Sequence, residues 1–461
     1  MNCLPGAAGV TMAETITDTD RYPTLSEAGR DMLRFLREHP GAPIYRNRSG
    51  NRLTAADIQH VKAFEREVEQ AEVGWQPGEQ PSWLHDCVSN CFAEVPHYRA
   101  YGSPPANFAD IPTIDRSDLG RDIARFVPDS VPVERLINFR TAGTTGHTLL
   151  LPSHPLVAAC YLSFHKRALR HFGIELQHGC GKVGVVLAGY QRSCFTYTSV
   201  TPTMNESGLA KINLHPADWR DPDDRARYLD ALDPEIYSGD PLSFPVLASL
   251  PLRTGPRALL STSMTLLPGL KQQLEERFSC PVLDIYSMNE AGPIAVFVPD
   301  SDGHLLLQHR LYVEILDREG RVLPPGERGE IVISGGFNFC LPLLRYRTGD
   351  HASLRFHGRQ PVLVELEGRP PVLFRTMSGV MINNIEITNL LRRFAIPQFT
   401  VHQCHDGRLG MRLRGAALET EQIRSALLGL FGSGQELDIL PLEGPGDKRV
   451  QYTSDIIGTL S

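Results

Sequence analysis

The sequence predicts an α/β protein: a large N-terminal domain with mostly parallel sheets flanked by helices, and a small α+β C-terminal domain. Between residues 183 and 286, short apolar stretches alternate with helical patterns, as in a parallel sheet covered on both faces. After residue 303, strands joined by glycine and proline turns predict antiparallel structure with a small β-barrel-like part. A final segment has helices and strands for a core of its own, so we predict domains over 1–367 and 368–461.

The composition is typical of a soluble globular enzyme and excludes other classes. The 461 residues, 41% hydrophobic and 21% charged, are too many for one hydrophobic core. The net charge of −7 argues against a nucleic-acid partner, whose binding surface would be basic. No apolar run approaches the roughly 20 residues that span a bilayer, and no signal peptide is recognisable, so we expect a cytoplasmic protein without a membrane partner. Met12 is an alternative initiator.

The N-terminal quarter is predicted to be helical. Apolar residues recur at helical spacing over residues 24–38 and again over 54–73, where Thr54 has the residue type of an N-cap. A third helix is expected over 83–92. Asp115 or Ser117 is placed to cap the next one.

Residues 139–148 are predicted to form a tight polar loop between two strands. Gly143 and Gly146 let the backbone adopt conformations that a Cβ would forbid. The hydroxyls of Thr144 and Thr145 add to exposed N–H groups, and such a concave loop suits the oxygens of a phosphate. An ordinary hairpin turn is the alternative for this stretch taken alone. It is not a Walker loop, because the lysine spacing of that motif is absent.

The parallel part of the predicted sheet indicates where a ligand would bind. Helices are expected over 155–172, 242–250 and 268–278, between strands that include 183–187 and 282–286. Ligands of such sheets bind at the carboxyl ends of the strands. Four residues fall at these ends, namely Gly189, Gly239, Ser263 and Ser287.

Four further stretches carry polar residues that could act on a ligand. Glu290 follows a buried strand, and Asp350 follows a β segment in the sequence Tyr-Arg-Thr-Gly-Asp. A Glu-Gly-Arg sequence ends at Arg369, and Gly-Asp-Lys-Arg contains Lys448. Each stretch by itself has an ordinary interpretation, since an acid after a strand is often a turn former and a late lysine is usually a solvated charge.

Together and in this order, these stretches resemble the adenylate-forming superfamily, and within it the phenylacetate–CoA ligase-like branch. Residues 143–146 resemble the core of its glycine loop, 286–290 resemble Y-G-x-T/S-E, and 346–350 match Y-R-T-G-D. Residues 95–99 with 111–113 resemble the V-P-F-Y-R and I-P-x-T sequences of the branch. The similarity covers nearly the whole chain.

The resemblance implies that the protein activates a carboxylic acid, aromatic by the habit of the branch, as an acyl-AMP. ATP and Mg²⁺ would be used and pyrophosphate released, and the acyl group would pass to a thiol such as that of coenzyme A. The small C-terminal domain would be mobile and would swing about the junction between the two steps. A homodimer is a further expectation, because dimers are common in the branch.

The resemblance also implies roles for single residues. Thr144 and Thr145 would hold the β- and γ-phosphates, and Glu290 would hold Mg²⁺, for which one carboxylate with phosphate oxygens and water is sufficient. Lys448 would bridge the substrate carboxylate and the α-phosphate, and Asp350 would bind both ribose hydroxyls. The remaining nucleotide-binding residues would be Thr141, Gly143, Gly146, Ser263, Tyr286, Ser287, Asn289 and Arg369. The substrate pocket would include Tyr190, Gly239 and Met264.

The sequence departs from the family pattern at several positions. His147 replaces the lysine of the glycine loop, and Asn289 replaces a threonine or serine but can still donate to a phosphate oxygen. Pro370 and Pro371 follow the junction arginine, and a proline holds φ at about −65°, which makes rotation there harder. The acceptor could therefore also be an amine, a carrier-protein thiol or another nucleophile. Two further hypotheses are a non-catalytic nucleotide-binding homologue and an ATP user that releases ADP.

Overall fold

The computed structural model describes residues 16–141, 149–191, 194–368, 372–391, 393–415, 419–443 and 450–456. The α-helices span Asp18–Arg21 (α1), Glu27–Glu38 (α2), Ala55–Gln70 (α3), Trp83–Glu94 (α4), Pro96–Arg99 (α5), Arg116–Arg121 (α6), Pro155–Arg170 (α7), Asp224–Leu232 (α8), Ser243–Ser249 (α9), Pro268–Phe278 (α10), Asn384–Leu391 (α11) and Thr420–Phe431 (α12).

The strands up to residue 316 span Ile137–Thr141 (β1), Leu149–Ser153 (β2), Val183–Gly189 (β3), Tyr197–Thr201 (β4), Ser207–Asn213 (β5), Ile236–Gly239 (β6), Ala258–Ser261 (β7), Val282–Met288 (β8), Gly292–Val298 (β9), Gly303–Leu306 (β10) and Leu311–Leu316 (β11). The later strands span Arg328–Gly335 (β12), Leu343–His357 (β13), Gln360–Gly368 (β14), Leu373–Arg375 (β15), Met381–Asn383 (β16), Gln398–Gln403 (β17), Leu409–Arg414 (β18), Leu437–Pro441 (β19) and Tyr452–Ser454 (β20).

The predicted helical N-terminal quarter is confirmed over its described residues. Thr54 caps α3, and its side chain and that of Asp57 satisfy each other's backbone N–H groups. Asp115 likewise caps α6. The helix expected from residue 24 begins at Glu27, because the hydroxyl of Ser26 accepts the hydrogen bond from Gly29 N and sets the first turn.

One twelve-stranded sheet forms the centre of the molecule, in the order β11-β12-β13-β14-β10-β9-β8-β7-β6-β3-β5-β4. Strands β5, β3, β6, β7 and β8 run parallel, as predicted. The antiparallel prediction for the segment after residue 303 is also correct. Because β8 pairs with β7 on one side and with β9 on the other, the antiparallel strands join the parallel strands in the same sheet.

Helices cover both faces of the parallel strands. On one face, α2, α8, α9 and α10 contribute to a core that includes Tyr228, Phe244 and Leu259. On the other, α3 and α7 pack Phe164 and Ala168 against Leu260 and Ile285. Both faces of β7 are buried, so its residues are apolar up to Ser261 at the carboxyl end of the strand.

The residues after 371 have a core of their own. Strands β19, β18, β17 and β20 form a second sheet, and α11 and α12 pack on one of its faces. Leu267, from the segment before α10, is 2% exposed and lies within this C-terminal core. A Cβ at Gly269 would come within 2.6 Å of the backbone of Phe394, so the two parts of the chain touch backbone to backbone. The boundary at 367/368 stays a prediction.

No helix among the described residues has the length and apolar character needed to cross a membrane.

Candidate functional site

A cavity of about 200 Å³ lies between the carboxyl ends of the parallel strands and the C-terminal part of the chain. The N-terminal side contributes five of the predicted site residues, namely Ser263, Met264, Tyr286, Ser287 and Asp350. The facing wall includes Asn384, Gln398 and Tyr452. The structure therefore brings together side chains that the sequence places in separate segments.

Asp350 and Tyr286 form one pole of this cavity. The Tyr286 hydroxyl donates a hydrogen bond of 2.8 Å to Asp350 Oδ2. Gly368 lies opposite Asp350 on the neighbouring strand, where an added Cβ would be 3.3 Å from Asp350 Oδ1. Absence of a side chain at 368 thus leaves this carboxylate accessible from the cavity.

The position of Asp350 corrects one expectation. It lies within β13 instead of following a β segment, because the strand continues to His357 after an irregularity in its pairing. Gly349 has φ of 77°, in the left-handed region that glycine adopts at little cost. The Tyr-Arg-Thr-Gly-Asp sequence is therefore a deformation inside a strand that turns Asp350 toward the cavity.

Tyr286 is kept protonated by its surroundings. Burial raises the pKa of its hydroxyl well above the ordinary value, and the negative charge of Asp350 raises it further. The phenol consequently acts as a hydrogen-bond donor at any physiological pH, so it orients the carboxylate without competing with it as an acceptor.

Ser263 follows β7 in a strained conformation at the cavity edge. Its φ is 72°, in the left-handed region that residues with a Cβ rarely adopt. Such strain collects at functional positions. The local geometry thus supports the prediction that a ligand approaches the chain here. The role of Ser263 in nucleotide binding stays a prediction.

Glu290 does not line this cavity and lies in the turn between β8 and β9, just after the buried strand that the sequence predicts. It is 5% exposed. Its Oε1 accepts a hydrogen bond of 2.9 Å from Nη1 of Arg116 and one of 3.4 Å from the hydroxyl of Tyr346. Asn289, beside it, is exposed.

Arg116 is a site residue that the sequence does not predict, although the segment before it carries part of the resemblance. Ile114 N donates to Arg345 O at 3.2 Å and Ile114 O accepts from Arg347 N at 2.8 Å, so this segment lies beside β13 as an extra pairing partner. Only the position of Arg116 three residues after the I-P-T sequence and directly after the cap Asp115 could have indicated a role.

A buried ion pair holds this segment in place. Arg345, with a φ of 49°, pairs with Glu314 at 3.1 Å, and both side chains are under 5% exposed. The same guanidinium donates to the carbonyl oxygens of Ala109 and Ile111. Arg345 therefore ties the approach to α6 to the main sheet.

The predicted substrate pocket is only partly joined to the cavity. Met264 borders it, whereas Tyr190 packs against His215 with ring centroids 5.7 Å apart. A Cβ at Gly239 would be 2.9 Å from Ala188 O, so close packing already accounts for this glycine. The substrate roles of Tyr190, Gly239 and Met264 stay predictions.

Several predicted site residues lie outside the described part of the structure. These are Gly143, Thr144, Thr145, Gly146, Arg369 and Lys448, together with the side chain of Thr141 and the departures His147, Pro370 and Pro371. Their roles remain as the resemblance implies them.

The donor set at Glu290 fits a hard divalent cation. Its Oε1 already accepts a hydrogen bond from a cationic side chain, and Oε2 accepts none from the described residues. Magnesium requires only one or two protein carboxylates when phosphate oxygens and water complete its shell. Among the described residues, no group of three or more His, Cys, Asp and Glu side chains could hold a metal. A magnesium site completed by phosphate oxygens and water does not need such a group.

Comparison with known proteins supports the resemblance. A family model for AMP-binding enzymes matches residues 182–339. Phenylacetate-coenzyme A ligase of Pseudomonas putida is 36% identical over 85 residues, which cover 18% of this chain and 19% of that protein. Protein CapK of Staphylococcus aureus is 20% identical over 313 residues, or 62% of this chain and 64% of CapK. The chain thus matches less than two thirds of the length of these relatives.

A solved structure shares the fold. The structure of 2-hydroxyisobutyryl-CoA ligase in the postadenylation state, in complex with an acyl-AMP, superposes with a TM-score of 0.58 at 19% identity. The superposition covers 87% of this chain and 90% of that one. The large mixed sheet and the smaller C-terminal part are therefore the fold of that CoA ligase.

Proposed function

We propose that this chain is a member of the adenylate-forming superfamily and, like the phenylacetate–CoA ligases to which it is similar, an AMP-forming acid–thiol ligase. It converts a carboxylic acid, aromatic by the habit of the branch, into an acyl-AMP and transfers the acyl group to coenzyme A. The observation that carries the proposal is the cavity where Tyr286, Asp350 and Ser263 meet at the carboxyl ends of the parallel strands.

The chemistry requires a nucleotide and a carboxylate in one enclosed place. A carboxylate is a poor acyl donor because its leaving group would be oxide. Attack of a carboxylate oxygen on the α-phosphorus of ATP releases pyrophosphate and leaves a mixed anhydride whose leaving group is AMP. The protein has to neutralise charge around the phosphorus, as phosphoryl transfer generally demands.

The described residues would bind the nucleoside. Asp350, oriented by the Tyr286 hydroxyl, would accept hydrogen bonds from both ribose hydroxyls. The ring of Tyr286 and the chain at Ser263 and Met264 border the same cavity and would enclose the base. These contacts hold the α-phosphate at a fixed distance from the strand ends.

The phosphates would lie toward Glu290. Glu290 would hold Mg²⁺, which when bound supplies positive charge to the phosphate oxygens. Thr144 and Thr145 would hold the β- and γ-phosphates, and Lys448 would reduce the repulsion between the substrate carboxylate and the α-phosphate.

Coenzyme A is the acyl acceptor that the similarity to phenylacetate–CoA ligases favours. An amine, a carrier-protein thiol or another nucleophile stays the alternative because Pro370 and Pro371 stand at the junction. A cytoplasmic location and a homodimer likewise stay predictions.

The test is pyrophosphate release by the purified chain with Mg-ATP and a panel of aryl, heteroaryl and aliphatic acids, with and without coenzyme A. We expect release that depends on one class of acid, rises with coenzyme A, and falls at least about a hundredfold in Lys448→Ala, since such charge stabilisation is commonly worth that much. The matched control is Lys62→Ala, at an exposed position of α3, which should release pyrophosphate at the wild-type rate.

Three different results would redirect the proposal. Release without any effect of coenzyme A would indicate another acceptor. ATP binding without release for any acid would contradict the enzymatic proposal and favour a non-catalytic nucleotide-binding protein. Formation of ADP would contradict acyl-AMP chemistry altogether.

A further inference from the structure

Arg116 places a permanent positive charge against the carboxylate of Glu290. Its Nη1 lies 2.9 Å from Glu290 Oε1, and the Tyr346 hydroxyl donates to the same oxygen. The Glu290 side chain is 6% exposed, and a carboxylate so far removed from water is costly unless a cation or donors compensate its charge.

The fold fixes the helix that carries Arg116. Asp115 caps α6 by accepting hydrogen bonds from Ser117 N and Asp118 N. Directly before this cap, Ile114 is hydrogen-bonded to the backbone of β13 through both its N–H and its carbonyl group. Arg116 thus reaches Glu290 from a rigid support, 174 positions away in the sequence, and the pair is not an incidental contact of two flexible surface chains.

The two partners differ in their exposure to water. The Arg116 side chain is 35% exposed and that of Glu290 only 6%, so loss of the pair costs more solvation free energy for the carboxylate than for the guanidinium. A guanidinium does not lose its proton in proteins, so pH does not release the pair. Another cation can.

We propose that Arg116 is a positioning residue that serves as the counter-ion of Glu290, and that a divalent cation has to displace it. This inference rests on the proposed role of Glu290 in acid activation. The affinity of the site for metal is then set by a competition: Arg116 keeps the carboxylate in its buried orientation and at the same time weakens metal binding.

The test is binding of Mn²⁺ to the complex of the chain with a non-hydrolysable ATP analogue, with the protein in excess, followed by the electron paramagnetic resonance signal of the free ion. We expect Arg116→Gln to lower the dissociation constant about tenfold, the factor that corresponds to about 1.4 kcal/mol of removed competition. Arg121→Gln is the matched control, because Arg121 ends the same helix and its side chain is 77% exposed. Its dissociation constant should equal that of the wild type.

The double variant Arg116→Gln/Glu290→Gln separates this inference from the proposed function. If Arg116→Gln binds Mn²⁺ more tightly than the wild type and the double variant does not, the result supports both the inference and the proposed function. Equal Mn²⁺ affinity in folded Arg116→Gln and wild type overturns the inference, while the metal role of Glu290 is judged by Glu290→Gln alone.

Arg116→Lys covers the case in which Arg116→Gln does not fold. Lysine keeps the charge but lacks the planar fork that fits a carboxylate, so we expect a dissociation constant about threefold below the wild type. An unchanged constant in this variant would overturn the inference.

Discussion

The two carboxylates of the site, Glu290 and Asp350, are prepared in opposite ways. Glu290 is buried and faces a guanidinium, whereas Asp350 is half-buried, borders the cavity and accepts a hydrogen bond from the neutral hydroxyl of Tyr286. A cation that already neutralises a carboxylate can be replaced only by another cation. A neutral donor leaves the negative charge available to further donors, such as ribose hydroxyls.

This difference suggests why one site would need both residues. Nucleotide binding brings a metal ion with its phosphates and neutral hydroxyls with its sugar. Under the proposed function, Glu290 would meet the charged part and Asp350 the neutral part. The residue that each carboxylate contacts indicates which part of the ligand that carboxylate would meet. The position of the carboxylate after a strand indicates this less well.

Glu290→Gln should have the largest effect. We expect pyrophosphate release to fall about a hundredfold, because charge stabilisation by a bound metal is worth several kcal/mol. The thermal midpoint should change little, since the released Arg116 is 35% exposed and can be hydrated. Activity assays at saturating ATP with thermal unfolding in parallel would measure both, and a loss below about threefold would remove Glu290 from the metal role.

Asp350→Asn should have a smaller effect, confined to nucleotide binding. We expect the KM for ATP to rise about tenfold, because hydrogen bonds to a charged group contribute about 1.5–3 kcal/mol. Comparison of ATP with 2′-deoxy-ATP sharpens the test, since the preference for the ribose should disappear in the variant. Tyr286→Phe keeps the carboxylate but removes the hydroxyl that orients it, so this variant should reduce that preference without abolishing it. A preference for ATP that survives in Asp350→Asn would contradict the ribose role.

The smallest expected effect concerns Asp115, which supports Glu290 through α6. Partial burial raises the pKa of Asp115, but hydrogen bonds from Ser117 and Asp118 outweigh it, so the pKa lies below 3.8 in the folded chain. A lowered carboxylate pKa stabilises the fold above the unfolded value and loses that contribution as pH falls through the folded value.

Asp115→Asn should therefore match the wild type near pH 7, because asparagine is an equally good N-cap. Below about pH 4 the wild type should lose about 1 kcal/mol relative to the variant, the usual worth of a cap. Urea unfolding between about pH 3 and 7 would measure the difference. A difference independent of pH would show that the charge of Asp115 contributes nothing.

Much of the fold could be predicted from the sequence because its signals are local. The uninterrupted apolar run that begins at Val183 predicts a strand buried on both faces, and the helix expected over 268–278 has the same bounds in the structure. Strands β4 and β5 were not predicted, because β4 mixes polar and apolar residues in no clear alternation. The sequence did not predict that the antiparallel strands join the parallel ones in one sheet, because the pairing of β8 with β9 leaves no local pattern in the sequence.

The candidate site divides in the same way. Glu290 and Asp350 could be predicted from their own neighbours in the sequence, and the structure places both near the carboxyl ends of the parallel strands. The residues that contact these two carboxylates could not be predicted in this way. Tyr286 and Asp350 are 64 positions apart, and Arg116 and Glu290 are 174 apart.

The sequence by itself determined the apolar strands, the order of the polar segments and the identity of the acidic residues, because propensity, burial pattern and short motifs depend on neighbours along the chain. Only the tertiary structure decided that Glu290 meets a guanidinium and Asp350 a phenol. Coulombic and hydrogen-bonding contacts act over a few ångströms in space, and the folding of β13 beside the segment before α6 is what brings these groups within that distance.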